Sequence, residues 1–157
     1  MKYAVRKIFV IAMLLFAVAF SVKAQTKKFK FEAKTVAERR YTEAGEWGEW
    51  SPAKTLTQNY FLITSDSITA IEKNTVLTFI VDKIENEKSD GVSTFNFAMH
   101  DTKIGMEAIL SLQVPPEGNV KIFFTMQSFC LCYEVRIMGE EECIFVEIEE
   151  DKYNIYQ

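Results

Sequence analysis

Apolar and polar positions alternate with period two along most of the chain beyond residue 25, as in strands with one buried face. The alternation is clearest over residues 106–114. Met106, Ala108, Leu110, Leu112 and Val114 share one side, and Glu107, Ile109, Ser111 and Gln113 the other. Residues 120–127 repeat it, with Val120, Ile122, Phe124 and Met126 together. The intervening Pro115-Pro116-Glu117-Gly118-Asn119 is turn chemistry. Folding the two stretches across it opposes Val114 to Val120, Leu112 to Ile122 and Leu110 to Phe124. A slip of one residue would turn an entire apolar row outward, so this agreement between faces specifies the register.

The same test predicts hairpins to either side. A turn at Ser65-Asp66 sets Ile63 opposite Ile68 and Phe61 opposite Ala70. A turn at Lys73-Asn74 sets Ala70 opposite Leu77 and Ile68 opposite Phe79, and Asn tolerates the left-handed backbone such a turn needs. A polar loop over residues 87–91 brings Phe95 and Phe97 beside Val81 and Phe79. A loop over residues 100–105 places Met99 beside Met106 and Phe97 beside Ala108. Residues 127–130 return Leu131 beside Met126 and Tyr133 beside Phe124; residues 138–143 return Ile144 beside Ile137 and Val146 beside Val135. An earlier strand over residues 28–33 points Phe29 and Phe31 inward. Residues 35–40 read equally as its continuation or as a short helix.

The pattern therefore predicts an all-β, antiparallel up-and-down meander of about eight or nine strands. It closes as a small barrel, which hides the apolar face and removes open edges; a two-sheet β-sandwich is the alternative. The inward list holds Phe29, Phe31, Phe61, Phe79, Phe95, Phe97, Phe124 and Tyr133, enough rings to fill most of a small barrel. Any ligand site is then expected at an end.

The first 24 residues stand apart. Lys2, Arg6 and Lys7 precede an apolar run at residues 8–20, and Ala24 offers a small residue for cleavage before Gln25. This reads as a cleavable signal peptide, residues 1–24, followed by a single domain, residues 25–157, that is periplasmic or secreted and lacks a membrane span. Four of the chain's 18 basic residues lie in that leader, which holds no acid, leaving 14 basic against 22 acidic residues in the domain. Such an acidic domain does not suit nucleic acid.

Candidate chemistry is sparse. His100, the single histidine, lies at a predicted turn beside Asp101, and no Gly-x-Ser-x-Gly elbow is present. No combination of acid, base and nucleophile is supported by spacing, so no enzyme, catalytic residue, metal or cofactor is expected. Cys130, Cys132 and Cys143 are odd in number; Cys130 and Cys143 fall in loops at opposite ends of one predicted strand, too far apart to pair.

Trp47 and Trp50 in the turn-rich stretch 45–52 either close the barrel end or, with Tyr41, bind a ligand, since indole faces suit sugars and apolar molecules. On the outer face Tyr60, Ile71 and Val76 form one row, with Leu62 and Ile80 near it, and Ile109 and Phe123 form a second pair. Such a face calls for a cover: the chain itself, a protein partner or a second copy in a homodimer.

The meander over residues 58–149, with Gly45-Glu46-Trp47 ahead of it, resembles the calycin superfamily and its lipocalin-like barrels, whose Gly-x-Trp element precedes the first long strands. The chain departs from lipocalins in a second Gly-x-Trp at Gly48-Glu49-Trp50 and in lacking a clear C-terminal helix. It also resembles the uncharacterised small exported β-proteins of Gram-negative bacteria, which share a signal, a Trp-x-x-Trp turn and an ending like Tyr153-Asn154-Ile155. The expected function is a non-enzymatic binding module for a small apolar ligand or glycan at the barrel mouth. A protein-interaction or envelope-structural domain using the outer apolar face is the alternative.

Overall fold

The computed structural model describes residues 28–139. It contains nine strands: β1 (Phe29–Arg40), β2 (Lys54–Thr55), β3 (Asn59–Ile63), β4 (Ser67–Glu72), β5 (Thr75–Ser89), β6 (Val92–Asp101), β7 (Glu107–Val114), β8 (Val120–Met126) and β9 (Phe129–Ile137). All pairings are antiparallel. From β3 to β9 each strand pairs with the next, and β1 closes the ring by pairing with β3 through Phe29–Glu32 and with β9 from Phe31 to Arg40. Eight strands thus form a barrel, and β2 adds a short flap on β1. No helix among the described residues is long and apolar enough to cross a membrane. The proposed signal segment 1–24 and the predicted strand and tail beyond residue 139 lie outside the described residues.

The predicted registers hold across three connections: Ile63 faces Ile68, Ala70 faces Leu77, and Leu112 faces Ile122. The inward rows form one core containing Phe31, Phe61, Phe79, Phe95, Phe97 and Phe124, with Phe29 and Tyr133 packed against it. Burying these rings drives closure, at about 25 cal/mol for each Å² of apolar surface removed from water.

Several turns differ from expectation. Residues 87–89 belong to β5, and the turn is the dipeptide Asp90-Gly91, both residues left-handed (φ 51° and 78°). Phe95 consequently faces Asn86 and Phe97 faces Ile84, rather than Val81 and Phe79. A bulge between Val81 and Lys83 restores the facing of the apolar rows. The end of β5 reads as a loop in sequence because it has one neighbour: among the described residues no strand flanks it beyond Ile80, so its residues are solvated and carry little apolar pattern.

Two further pairings are offset by two residues, which preserves the buried face. Met99 faces Ala108 because β6 continues to Asp101, and Leu131 faces Phe124 because Gln127-Ser128 is a two-residue turn. Residues 35–40 continue β1 as strand. Cys130 lies within β9, not in a loop. Val135 pairs with Val120 on one side and Ala33 on the other; Val146, its predicted partner, lies outside the described residues.

The β1–β9 seam is reinforced on its outer side. Glu32 accepts hydrogen bonds from Arg136, its cross-strand partner, and from Lys34 at 2.8 Å. Burial pushes the Glu32 carboxyl up, but these two cations together hold it below its ordinary range.

Candidate binding site at the open end of the barrel

The connections 41–58, 73–74, 102–106 and 127–128 gather at one end of the barrel. There the interior is not filled. A cavity of about 210 Å³ opens between the strand ends, walled by Phe61, Ala70, Leu77, Phe79, Met106, Phe124, Met126, Phe129, Leu131 and Tyr133. Its cause is the ladder of inward rungs. Deeper rungs such as Ile63 with Ile68 and Leu112 with Ile122 are almost wholly buried. Nearer the mouth, Leu77 is still inward by register yet 49% exposed. Two edge-on ring pairs line the interior, Phe61 on Tyr133 at 4.9 Å and Phe79 on Phe124 at 5.4 Å.

The rim is polar. Asn59, Glu72 and Thr75 form the last inward rung of β3, β4 and β5. Asn59 is tied down, its amide donating to the Thr57 carbonyl at 2.7 Å. On the neighbouring β6, Asp101 accepts backbone N–H bonds from Lys103 (2.5 Å) and Ile104 (2.8 Å), which shapes the loop that also brings Thr102 and Lys103 to the rim. Glu72 and the Tyr133 hydroxyl have no hydrogen-bond or ion-pair partner among the described residues. Burial, with the Glu72 charge adding to it, pushes the Tyr133 phenol up to about 12.

The aromatic residues singled out in the sequence occupy another place. Tyr41, Trp47 and Trp50 do not line the cavity. The connection after β1 folds back along it: Gly48 N–H donates to the Arg40 carbonyl, Ser51 N–H to that of Glu38 and Leu56 N–H to that of Lys34, each at 2.8 Å. At Gly48 an added Cβ would lie 3.1 Å from the Arg40 oxygen, so the close approach depends on glycine. Both indoles then lean on the outer wall. The Arg39 guanidinium sits between them, 5.0 Å from the Trp47 ring and 4.5 Å from that of Trp50. Tyr41 meets Trp47 edge-on at 5.3 Å, and Trp50 tilts against Phe123 at 6.1 Å. Arg39 was not singled out by sequence reasoning, because the strand that fixes its outward direction was itself ambiguous there.

The outer row assembles in the predicted register: Tyr60 faces Ile71, which faces Val76. Leu62 and Ile71 are each only 1% exposed, and Tyr60, Val76 and Met138 pack with them. Ile80 lies apart from this cluster and is 42% exposed. Ile109 is exposed, whereas Phe123 lies against Trp50.

His100 Nδ1 is 2.8 Å from Asp82 Oδ2, a pair created by the β5 bulge rather than by its sequence neighbour Asp101. Cys130 and Cys132 are free thiols on the outer side of β9; burial raises the Cys132 pKa above its ordinary value despite the nearby Lys121 cation. Cys143 lies outside the described residues. Among the described residues no three His, Cys, Asp or Glu side chains gather as a metal site. No protein-family model, no curated protein and no solved structure matches this chain.

Proposed function

We propose that the chain is an exported, non-enzymatic, lipocalin-like barrel that takes a small apolar ligand into its open end. The observation that carries this is the cavity of about 210 Å³ with an apolar wall and a polar rim. An apolar cavity of roughly 150 Å³ already admits benzene, whereas typical drug-sized pockets start at about 300 Å³. The fitting ligand is therefore one ring or a short chain. The eight-stranded up-and-down closure supports the calycin-like reading, since barrels of this size have room inside for one small ligand. A glycan fits less well, because Trp47 and Trp50 direct ring faces onto Arg39. The alternative interaction surface of Tyr60, Leu62, Ile71, Val76 and Ile80 is also weaker, since Leu62 and Ile71 are already buried.

Titrating the purified protein with small aromatic and alkyl compounds, followed by ligand-observed NMR and thermal melting, tests the reading. Saturating ligand at a hundred times Kd raises stability by about 2.7 kcal/mol. Leu131→Trp fills the cavity and is expected to abolish binding while preserving the fold. Binding that survives in the folded Leu131→Trp variant, or no binding by any compound, refutes the site.

A further inference from the structure

Resting on the cavity reading above, we infer that the ligand is a small hydrophobic amine, bound as its ammonium with the charge at the Glu72 carboxylate and the apolar body among Phe61, Phe79 and Phe124. Among the cavity-lining groups without partners among the described residues are the Glu72 carboxylate on the rim and the Tyr133 hydroxyl on the wall, along with the Thr75 hydroxyl and the Lys103 ammonium. A carboxylate accepts only, and a phenol oxygen accepts as well as donates, so together they suit a ligand rich in N–H donors. A hydrogen bond to a charged group is worth more than a neutral one, which makes an ammonium the best donor at this position.

The aromatic walls add to this preference. Ring faces attract cations, and the effect grows as water is excluded. Among the described residues that line the cavity, the charged ones are Glu72, Asp101 and Lys103. Asp101 is already engaged by the backbone N–H groups of its own loop, whereas Glu72 is not. Lys103 opposes an ammonium but stands on the β6–β7 connection, while Glu72 ends β4 and projects on the inward rung with Asn59 and Thr75. An anionic ligand using Lys103 would share the same mouth with the Glu72 carboxylate. The acidic balance of the domain, 14 basic against 22 acidic residues, favours approach of a cation.

Three matched probes separate this inference from the cavity reading: 2-phenylethylammonium, 2-phenylethanol and phenylacetate, titrated by calorimetry at pH 7. The ammonium is expected to bind at least about tenfold more tightly than the alcohol, and phenylacetate most weakly. Glu72→Gln is expected to bring ammonium and alcohol within about twofold of each other while leaving the alcohol's affinity unchanged. Tyr133→Phe is expected to weaken the ammonium less than Glu72→Gln does. If the alcohol binds and the ammonium gains nothing over it, or if Glu72→Gln leaves their ratio unchanged, the amine inference falls and the apolar cavity stands. If none of the three binds, both fall.

Discussion

Arg39 illustrates what a single residue does in this barrel. Its outward position on β1 would leave a charged group over the sheet, and the indoles of Trp47 and Trp50 cover it from two sides. Each such contact contributes about 0.5–2 kcal/mol, depending on how much water is excluded. The connection after β1 is therefore held to the wall by side chains as well as by its backbone bonds. Arg39→Ala is expected to lower the unfolding free energy by about 1–3 kcal/mol in urea denaturation. It is also expected to shift tryptophan emission to the red. The chain has only Trp47 and Trp50, so the signal reports this stack alone. Unchanged emission would mean that the cation does not hold the rings. Trp47 and Trp50 could be picked out from sequence as unusual, but their partner could not. Which cation sits between two indoles depends on how a connection of more than ten residues folds back, and period-two alternation carries no information about that.

At the scale of elements, the β5–β6 hairpin shows where reading by pattern succeeds and where it stops. Faces were legible on β6, because Phe95, Phe97 and Met99 must share the interior whatever their exact partners. Loop length was not legible: the charged end of β5 looks like a connection, and only the left-handed pair Asp90-Gly91 marks the true turn. At Gly91 φ is 78°, a conformation costly for any β-branched side chain, and an added Cβ would also meet the Pro116 ring at 3.4 Å. Gly91→Val is expected to cost about 1–3 kcal/mol, read as a lowered melting temperature. The double-offset errors at Met99 and Leu131 have the same origin, since a shift of two residues leaves every side chain on its own face. Alternation alone cannot distinguish such registers.

For the whole molecule, the asymmetry between a filled end and an open end decides where substitutions matter. Leu112 and Leu77 are both inward leucines, yet the first is fully buried and the second lies half in solvent at the mouth. Leu112→Ala is expected to cost about 2–5 kcal/mol through lost burial and a new void, whereas Leu77→Ala is expected to cost under about 1 kcal/mol. Chemical denaturation of the two variants checks the contrast, and equal losses would contradict an interior that is packed at only one end. The barrel was legible in the sequence because closure follows from consecutive compatible faces. The cavity was not, because it depends on which rungs reach the rim and how far the loops lean over them.

Beyond Ile80 one edge of β5 carries no strand among the described residues, which has a consequence for the behaviour of the protein at high concentration. Its peptide groups form a ready template on which a second molecule could lay down a strand and begin a polymer. Lys83, Glu85, Glu87 and Lys88 stand along that border, so a stacked copy would bring ionised side chains into a narrow space. A polar segment that looks dispensable to the barrel thus makes stacking of a second copy on this edge electrostatically costly.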